Sequence, residues 1–362
     1  MNKIHVVIPV YNVEKYLEQA VRSVLDQPYK GIDIVLVDDG SPDNSPAICD
    51  RLAAECDRIE VIHKENGGVS SARNVGIEYI LKIASDEDFI VFLDADDFWV
   101  TDCITDNFFS KAEGICDMYA LGSMYCNETG DKYAYAFKYE VNRCAEGEKS
   151  IWDVNGTFCS CLYSVKLFQK WGIRFPDGLK YCEDKIFLMQ CIYLSDKVSF
   201  MTEVIHVCRE NIGSAMKKVK SIPPIEYYLP IIEGWIKSDE FVNKWSDISG
   251  KVLRSGRILA GIYLMDMTMD HYKRWGSRKQ INKVLKNHPN YNLMLEFLDT
   301  DVKPHQCEKR SLLLKHPFLF KLKYNFIGAV EYLGRKVLRI KAVSIWRENR
   351  RYPLTQMPVN KK

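Results

Sequence analysis

At 362 residues, with 47% hydrophobic and 27% charged side chains, the chain holds enough material for one large folded domain or two modest ones and is no disordered or fibrous sequence. No run approaches the roughly 18–20 apolar residues of a membrane-spanning helix, and none of the 12 cysteines stands in a Cys-x-x-Cys pair, which argues against zinc-ribbon and dithiol redox motifs. The net charge of +2 is unevenly divided: residues 303–362 hold 15 Lys and Arg against Glu308, Glu331 and Glu348, leaving −10 on the first 302.

Met1-Asn2-Lys3 leads directly into an apolar strand, without a signal peptide's apolar stretch and cleavage site. The cysteines therefore read as reduced, small core residues of a cytosolic protein. Residues 4–9 (IHVVIP) form a continuous, β-branched run typical of a buried strand. A helix is expected next, capped by Asn12, because Val13, Tyr16, Leu17, Ala20, Val21, Val24 and Leu25 recur on one face. Residues 32–37 (IDIVLV) are a second buried strand, closed by Asp38-Asp39-Gly40-Ser41. A helix over 43–56 and a short strand over 59–63 follow. Asn66-Gly67-Gly68 is a turn signal, and Ser70 opens a third helix toward Ala84. Residues 88–93 (DFIVFL) are a fourth strand, ending in Asp94-Ala95-Asp96-Asp97.

Strand and helix thus alternate four times in about a hundred residues, the pattern of a parallel, doubly wound α/β sheet. Such sheets bind ligands beyond the carboxyl ends of their strands. Tyr11-Asn12, Asp38-Asp39 and Asp94 to Asp97 all fall there. No G-x-G-x-x-G follows any strand, which argues against a dinucleotide-binding oxidoreductase. Beyond residue 116 the pattern turns mixed, with strands expected near 117–125 and 132–140 and helices near 164–171 and 184–194. Residues 222–302 read as helical.

Two acidic groupings carry chemistry. Asp94-Ala95-Asp96 sets two carboxylates on a short turn, where they repel unless a cation lies between them. Mg²⁺ or Mn²⁺ suits such oxygen ligands and commonly shares its shell with phosphates. The plainer alternative is that Asp96 and Asp97 cap a helix starting near Thr101. Glu183-Asp184 precedes a helix bearing Ile186, Phe187, Met189 and Cys191. It reads either as an ordinary acidic N-terminus or as a general base that deprotonates a hydroxyl.

Taken together, Val7-Ile8-Pro9-Val10-Tyr11-Asn12, Val37-Asp38-Asp39-Gly40-Ser41, Ser71-Ala72-Arg73-Asn74-Val75-Gly76, Phe92-Leu93-Asp94-Ala95-Asp96-Asp97 and Glu183-Asp184-Lys185-Ile186-Phe187 resemble, in order and spacing, the motifs of family 2 glycosyltransferases over residues 3–215. The likeness is to bacterial enzymes that build capsule, exopolysaccharide, O-antigen or teichoic-acid glycans. It implies a glycosyltransferase A fold, a Rossmann-like mixed sheet of the nucleotide-diphospho-sugar transferases, and inversion at the anomeric carbon. By this resemblance Pro9, Tyr11, Asn12, Asp38 and Asp39 hold the nucleotide, and an Asp39 carboxylate facing a pyrimidine N–H favours a UDP-sugar donor. Arg73 lies beside the nucleotide or, alternatively, packs its helix. Asp94 and Asp96 match the metal motif, Asp184 the base, and Glu183 shapes the pocket or touches the acceptor. Relatives often carry Tyr-Tyr-Arg and then a serine past the base, where this chain has His206-Val207-Cys208-Arg209 and Ser214. Arg209 and Ser214 then belong to a loop closing over the diphosphate, and His206 is either a third metal ligand or structural.

Within 311–346 apolar residues alternate with Lys315, Lys321, Lys323, Arg335, Lys336, Arg339 and Lys341. A basic amphipathic helix of this kind lies on an anionic membrane surface or packs on the catalytic domain with its basic face in water. No nucleic-acid motif accompanies it. The expected organisation is a catalytic domain over 1–220, a helical C-terminal extension over 221–302 and a basic tail over 303–362. The expected function is metal-dependent transfer of a sugar to a glycan or lipid-linked acceptor at the cytoplasmic face of a membrane. A sugar-phosphate nucleotidyltransferase or a non-catalytic scaffold of an assembly complex are the alternatives. The first would need a glycine-rich, arginine-bearing loop where Tyr11-Asn12-Val13-Glu14 stands.

Overall fold

The computed structural model describes residues 2–111, 115–146, 154, 157–179, 181–210 and 224–243, with single positions at 287, 289 and 357. The chain divides into two compact units, residues 1–214 with 351–362, and residues 215–350. In the second, a helix over Pro224–Asn243 buries Ile231, Ile232, Trp235 and Ile236. The remainder of the expected helical stretch and the basic tail lie outside the described residues.

The first unit is built on one mixed sheet in the order β3-β2-β1-β4-β9-β6-β10-β5. Strands β1 (Ile4–Val10), β2 (Ile32–Asp38), β3 (Ile59–His63) and β4 (Phe89–Phe92) are parallel neighbours. The helices between them are α1 (Leu17–Leu25), α2 (Ser45–Glu55) and α3 (Val69–Ile83). Each parallel pair needs such a crossover, which is why the apolar runs and helical stretches alternate in the sequence. β1 divides its side chains between the two faces. Ile4, Val6, Ile8 and Val10 join the core under α1 with Leu17, Ala20, Val21 and Val24. Val7 points the other way, and Gly76 lets α3 close on it: a Cβ on Gly76 would lie 2.4 Å from Val7 Cγ1.

After β4 the direction changes. β9 (Cys161–Ser164) runs antiparallel between β4 and β6 (Met118–Cys126). β10 (Lys197–Arg209) runs parallel to β6 and takes β5 (Phe98–Trp99) and β8 (Arg143–Glu146) antiparallel along it. β7 (Tyr133–Phe137) forms a hairpin with β6. Helices α4 (Val165–Trp171) and α5 (Glu183–Leu194) complete the α3 side. Every residue of α5 from Ile186 to Leu194 is buried. Phe187 stacks on Phe175 with ring centroids 3.8 Å apart and meets Phe92 of β4 edge-on at 5.3 Å.

Three expectations change. Helix α1 begins at Leu17, not after Asn12, which has φ +56° and caps nothing. No helix follows Asp97: the chain continues at once into β5, so the capping alternative for Asp96 and Asp97 does not hold. The segment expected to be a loop around His206 is the end of the thirteen-residue β10.

Candidate active site

At the carboxyl end of β1 the backbone is held by the loop that follows β2. The amide of Asn12 donates to Ser41 Oγ at 3.3 Å, Val13 to Ser45 Oγ at 3.1 Å and Glu14 to Asp43 at 3.0 Å. These long-range bonds tie the chain after β1 to the loop after β2 and satisfy amides that have no partner within α1. Pro9 is the penultimate residue of β1, and Tyr11 just beyond the strand stands exposed. Asp38 is buried, accepting from Ser41 N and paired with His63, whose other ring nitrogen meets Asp50. Those two carboxylates raise the His63 pKa. Asp39 is also buried. Its carboxylate accepts from Lys64 Nζ, from Gly67 N at 2.9 Å and from Gly68 N at 2.8 Å. Gly68 takes φ +87°, a conformation that glycine adopts freely. The side chain expected to face a base thus also holds the Asn66-Gly67-Gly68 turn.

The centre of the cleft is organised by Arg73. Projecting from α3 and only 3% exposed, it donates to Asp94 Oδ1 at 2.7 Å and to Glu183 Oε1 at 3.2 Å. Phe158 and Phe175 lie under its guanidinium at 4.4 and 5.0 Å. Burial works against its charge, but the Asp94 and Glu183 carboxylates more than offset this and the arginine pKa is raised. Next to it, Asn74 zips the segment before α5 onto α3, accepting from Phe175 N at 2.8 Å and donating to Phe175 O at 3.0 Å. The Arg73-Asn74 pair therefore brings the turn after β4 and the start of α5 to one place.

Glu183 and Asp184 occupy the first turn of α5, where the helix dipole favours negative charge. Asp184 Oδ1 accepts from Lys185 N at 2.8 Å. Both carboxyls nevertheless titrate above their ordinary range. For Glu183 burial comes first and the charge of Asp184 second, opposed by Arg73. For Asp184 burial again dominates, opposed by the Lys185 amide and Arg73 and assisted by Asp94. A carboxylate made more basic by its surroundings is suited to taking a proton.

Behind the acidic turn lies a brace that the motif reading did not foresee. Asp97 is buried. Its Oδ2 accepts from His206 Nε2 at 2.8 Å and its Oδ1 from Arg209 N at 2.8 Å. The other ring nitrogen of His206 lies 3.3 Å from the hydroxyls of both Ser123 and Thr157. Both nitrogens are thus engaged in this arrangement, in the manner of the structural one of the two readings of His206. Arg209 ends a strand, and its guanidinium donates to Asp96 O at 3.1 Å, Glu128 O at 2.9 Å and Gln19 Oε1 at 2.6 Å. It supports the backbone of the acidic turn. Ser214 lies outside the described residues. The third acid in Asp94-Ala95-Asp96-Asp97 was the sequence signal for the brace.

Among the described residues no three His, Cys, Asp or Glu side chains converge into a ready-made metal cage. The oxygens of Asp94 and Asp96 still form a hard donor set. Asp94 is about a third exposed at 34%. The nearby Cys208 thiol is pushed up, by burial first and then by Asp97, Asp94 and Asp96, and stays protonated. Such a set fits Mg²⁺ or Mn²⁺ whose remaining positions go to water and phosphate oxygens.

Against known proteins, the model of the family described as "Glycosyl transferase family 2" matches residues 5–171. GlyG, a glycosyltransferase of Streptococcus pneumoniae serotype 4, is 30% identical over 227 residues, covering 59% of this chain and 73% of GlyG. EpsJ of Bacillus subtilis, carried as an uncharacterized glycosyltransferase, is 30% identical over 224 residues, covering 58% of this chain; the match spans only 62% of EpsJ. Other relatives are named for succinoglycan and minor teichoic acid biosynthesis. Among solved structures, residues 1–349 of S. aureus TarS in complex with UDP-GlcNAc superpose with a TM-score of 0.55 at 18% identity, over 82% of this chain and 81% of that one. That likeness is one of fold, and the fold is the glycosyltransferase A type.

Proposed function

The chain belongs to glycosyltransferase family 2, and from that premise we propose that it transfers a sugar, with inversion, from a nucleotide diphosphate to a hydroxyl of a glycan or lipid-linked acceptor. One observation carries this reading: the buried Arg73 guanidinium ties Asp94 to Glu183, so the acidic turn after β4 and the acidic start of α5 share one cleft.

The loops after β1 and β2, with Pro9, Tyr11, Asn12, Asp38 and Asp39, are the nucleotide side. A UDP-sugar is the preferred donor, with Asp39 on the side of the base, and the UDP-GlcNAc held in the TarS complex of the same fold supports this. Asp94 and Asp96 would hold Mg²⁺ or Mn²⁺, which when bound offsets the charge developing on the departing diphosphate. Asp184, raised above its usual range by burial, draws the proton from the acceptor hydroxyl. Glu183, paired to Arg73, positions that base and borders the acceptor. Arg73 keeps the acids of the two motifs from separating by mutual repulsion. The setting is cell-surface polysaccharide synthesis, the role for which several relatives are named. No helix among the described residues is long and apolar enough to cross a membrane, and residues 303–362 are the segment proposed to lie on the inner membrane surface.

The test is a panel of nucleotide sugars incubated with the full chain and Mn²⁺ or Mg²⁺, read as nucleotide release. Slow hydrolysis of one UDP-sugar, stopped by chelation, is the expected result. Release from no donor, or release that ignores chelation, contradicts the proposal.

A further inference from the structure

Along β6 and β10, side chains on one face step outward in register. His206 and Ser123 are partners and both are buried. They face Thr157 and the short turn holding Phe158, whose ring packs on Phe175, itself stacked on Phe187 of α5. This is therefore the side of the sheet that carries the proposed base. Two residues farther along, roughly 7 Å at the usual strand rise, the next partners are Cys208 and Tyr125. Burial ends there: Tyr125 is 44% exposed, and Cys208 is half-buried within the field of the acidic turn. The strands remain paired past this point, since Glu210 N donates to Cys126 O at 2.9 Å. The tyrosine thus projects from a fixed strand.

A second observation fixes the tyrosine relative to the acidic turn. The β6–β7 hairpin begins two residues after Tyr125, and Arg209 joins Glu128 O in that hairpin to Asp96 O in the turn. Gly130 at the hairpin tip lies so near that a Cβ there would sit 3.2 Å from the guanidinium. In the sheet order, β1 and β2 carry the nucleotide loops, β4 the acidic turn, and β6 lies beyond it. Tyr125 stands on the far side of the turn from the nucleotide.

Resting on the reading above, we propose that Tyr125 is an aromatic platform for the acceptor, stacking the apolar C–H face of a pyranose ring so that a hydroxyl is turned toward Asp184. A flat half-exposed ring suits one face of a sugar, and its location past the metal turn leaves the donor side clear. It determines which acceptor ring is accepted, not which donor.

The experiment uses the full chain with methyl and p-nitrophenyl hexopyranosides, read by saturation transfer from protein aromatic protons to sugar C–H protons. At least one glycoside is expected to bind the wild type. Tyr125→Ala should weaken it by roughly fivefold or more, the scale of one lost aromatic contact. Tyr125→Trp should retain it. Tyr125→Thr, which suits a strand, repeats the loss if the alanine variant folds poorly. The proposal is overturned if no glycoside binds the wild type, or if removing the ring leaves binding unchanged. The donor screen, done on the wild type alone, stands or falls separately.

Discussion

Arg73 and Asp94 lie 21 residues apart in sequence and 2.7 Å apart in space, across a cleft whose other wall is the start of α5. The contact is charge-assisted and buried at the arginine, so it is worth more than a surface ion pair. Losing the arginine leaves Asp94 and Glu183 facing each other uncompensated. Arg73→Ala is expected to cost about 3 kcal/mol of stability. Arg73→Lys should keep much of that stability yet lose activity, because one ammonium cannot reproduce the two-armed geometry. Thermal unfolding beside nucleotide-release rates separates the two effects; equal rates for Arg73→Lys and wild type would contradict the bridging role.

Glu183 and Asp184 provide a pH test with a definite sign. Folding raises both pKa values, so the folded state binds these protons more tightly than the unfolded chain does. Stability from this source is full below the ordinary carboxylate range and is lost as pH rises through the raised values. Activity runs oppositely, climbing with pH as the base ionises. Asp184→Asn should therefore abolish transfer while raising Tm at pH 8 by about 2 °C or more, with a smaller gain at pH 5. A variant that is inactive and also less stable at pH 8 would show that the carboxylate is structural.

His206 and Asp96 can be told apart by metal titration. With His206 locked to Asp97, His206→Ala should lower stability by about 1–3 kcal/mol through the exposed buried acceptor. The half-saturating Mn²⁺ concentration of the surviving activity should stay near the wild-type value. Asp96→Ala should raise it by tenfold or more, the effect of a lost ligand. A large rise for His206→Ala would restore the ligand assignment.

Gly76 tests the seam between α3 and β1. A methyl group there would meet Val7 Cγ1 at 2.4 Å and Cγ2 at 3.0 Å. Gly76→Ala is expected to cost about 1–3 kcal/mol despite the better helix propensity of alanine. Val7→Ala, itself destabilising, makes room for the methyl. The double variant should then be less destabilised than the two losses added together, a coupling measurable by denaturant unfolding. Simple additivity would mean that the seam relaxes elsewhere.

The parallel half of the sheet was legible because its strands are continuous apolar runs separated by helical periodicity. The acids at the strand ends were legible for the same reason: β2 and β4 stop at them. What escaped were features set by distant partners. The docking of residues 12–14 on Ser41, Ser45 and Asp43 joins positions about thirty residues apart. Arg73 had two readings in the sequence because its carboxylate on α5 lies 110 positions away. His206 likewise had two readings because nothing local reveals Asp97, 109 positions earlier. β5, β8 and β9 hold two to four residues each, too few for any periodicity to register.

The antiparallel β9 wedged between β4 and β6 has a bearing on chimera building. Because Phe89 pairs with Ser164 and Ile90 with Tyr163, a segment transplanted from a relative to change the product glycan cannot be spliced in at β6 alone. The junctions belong before β6 and after Arg209, so that β9 and α5 travel with it. Even such a cassette must dock on the host's Arg73 and Asn74, which reach into it from outside. Swaps that respect this seam should remain foldable, whereas those cut inside it sever the grip on α5.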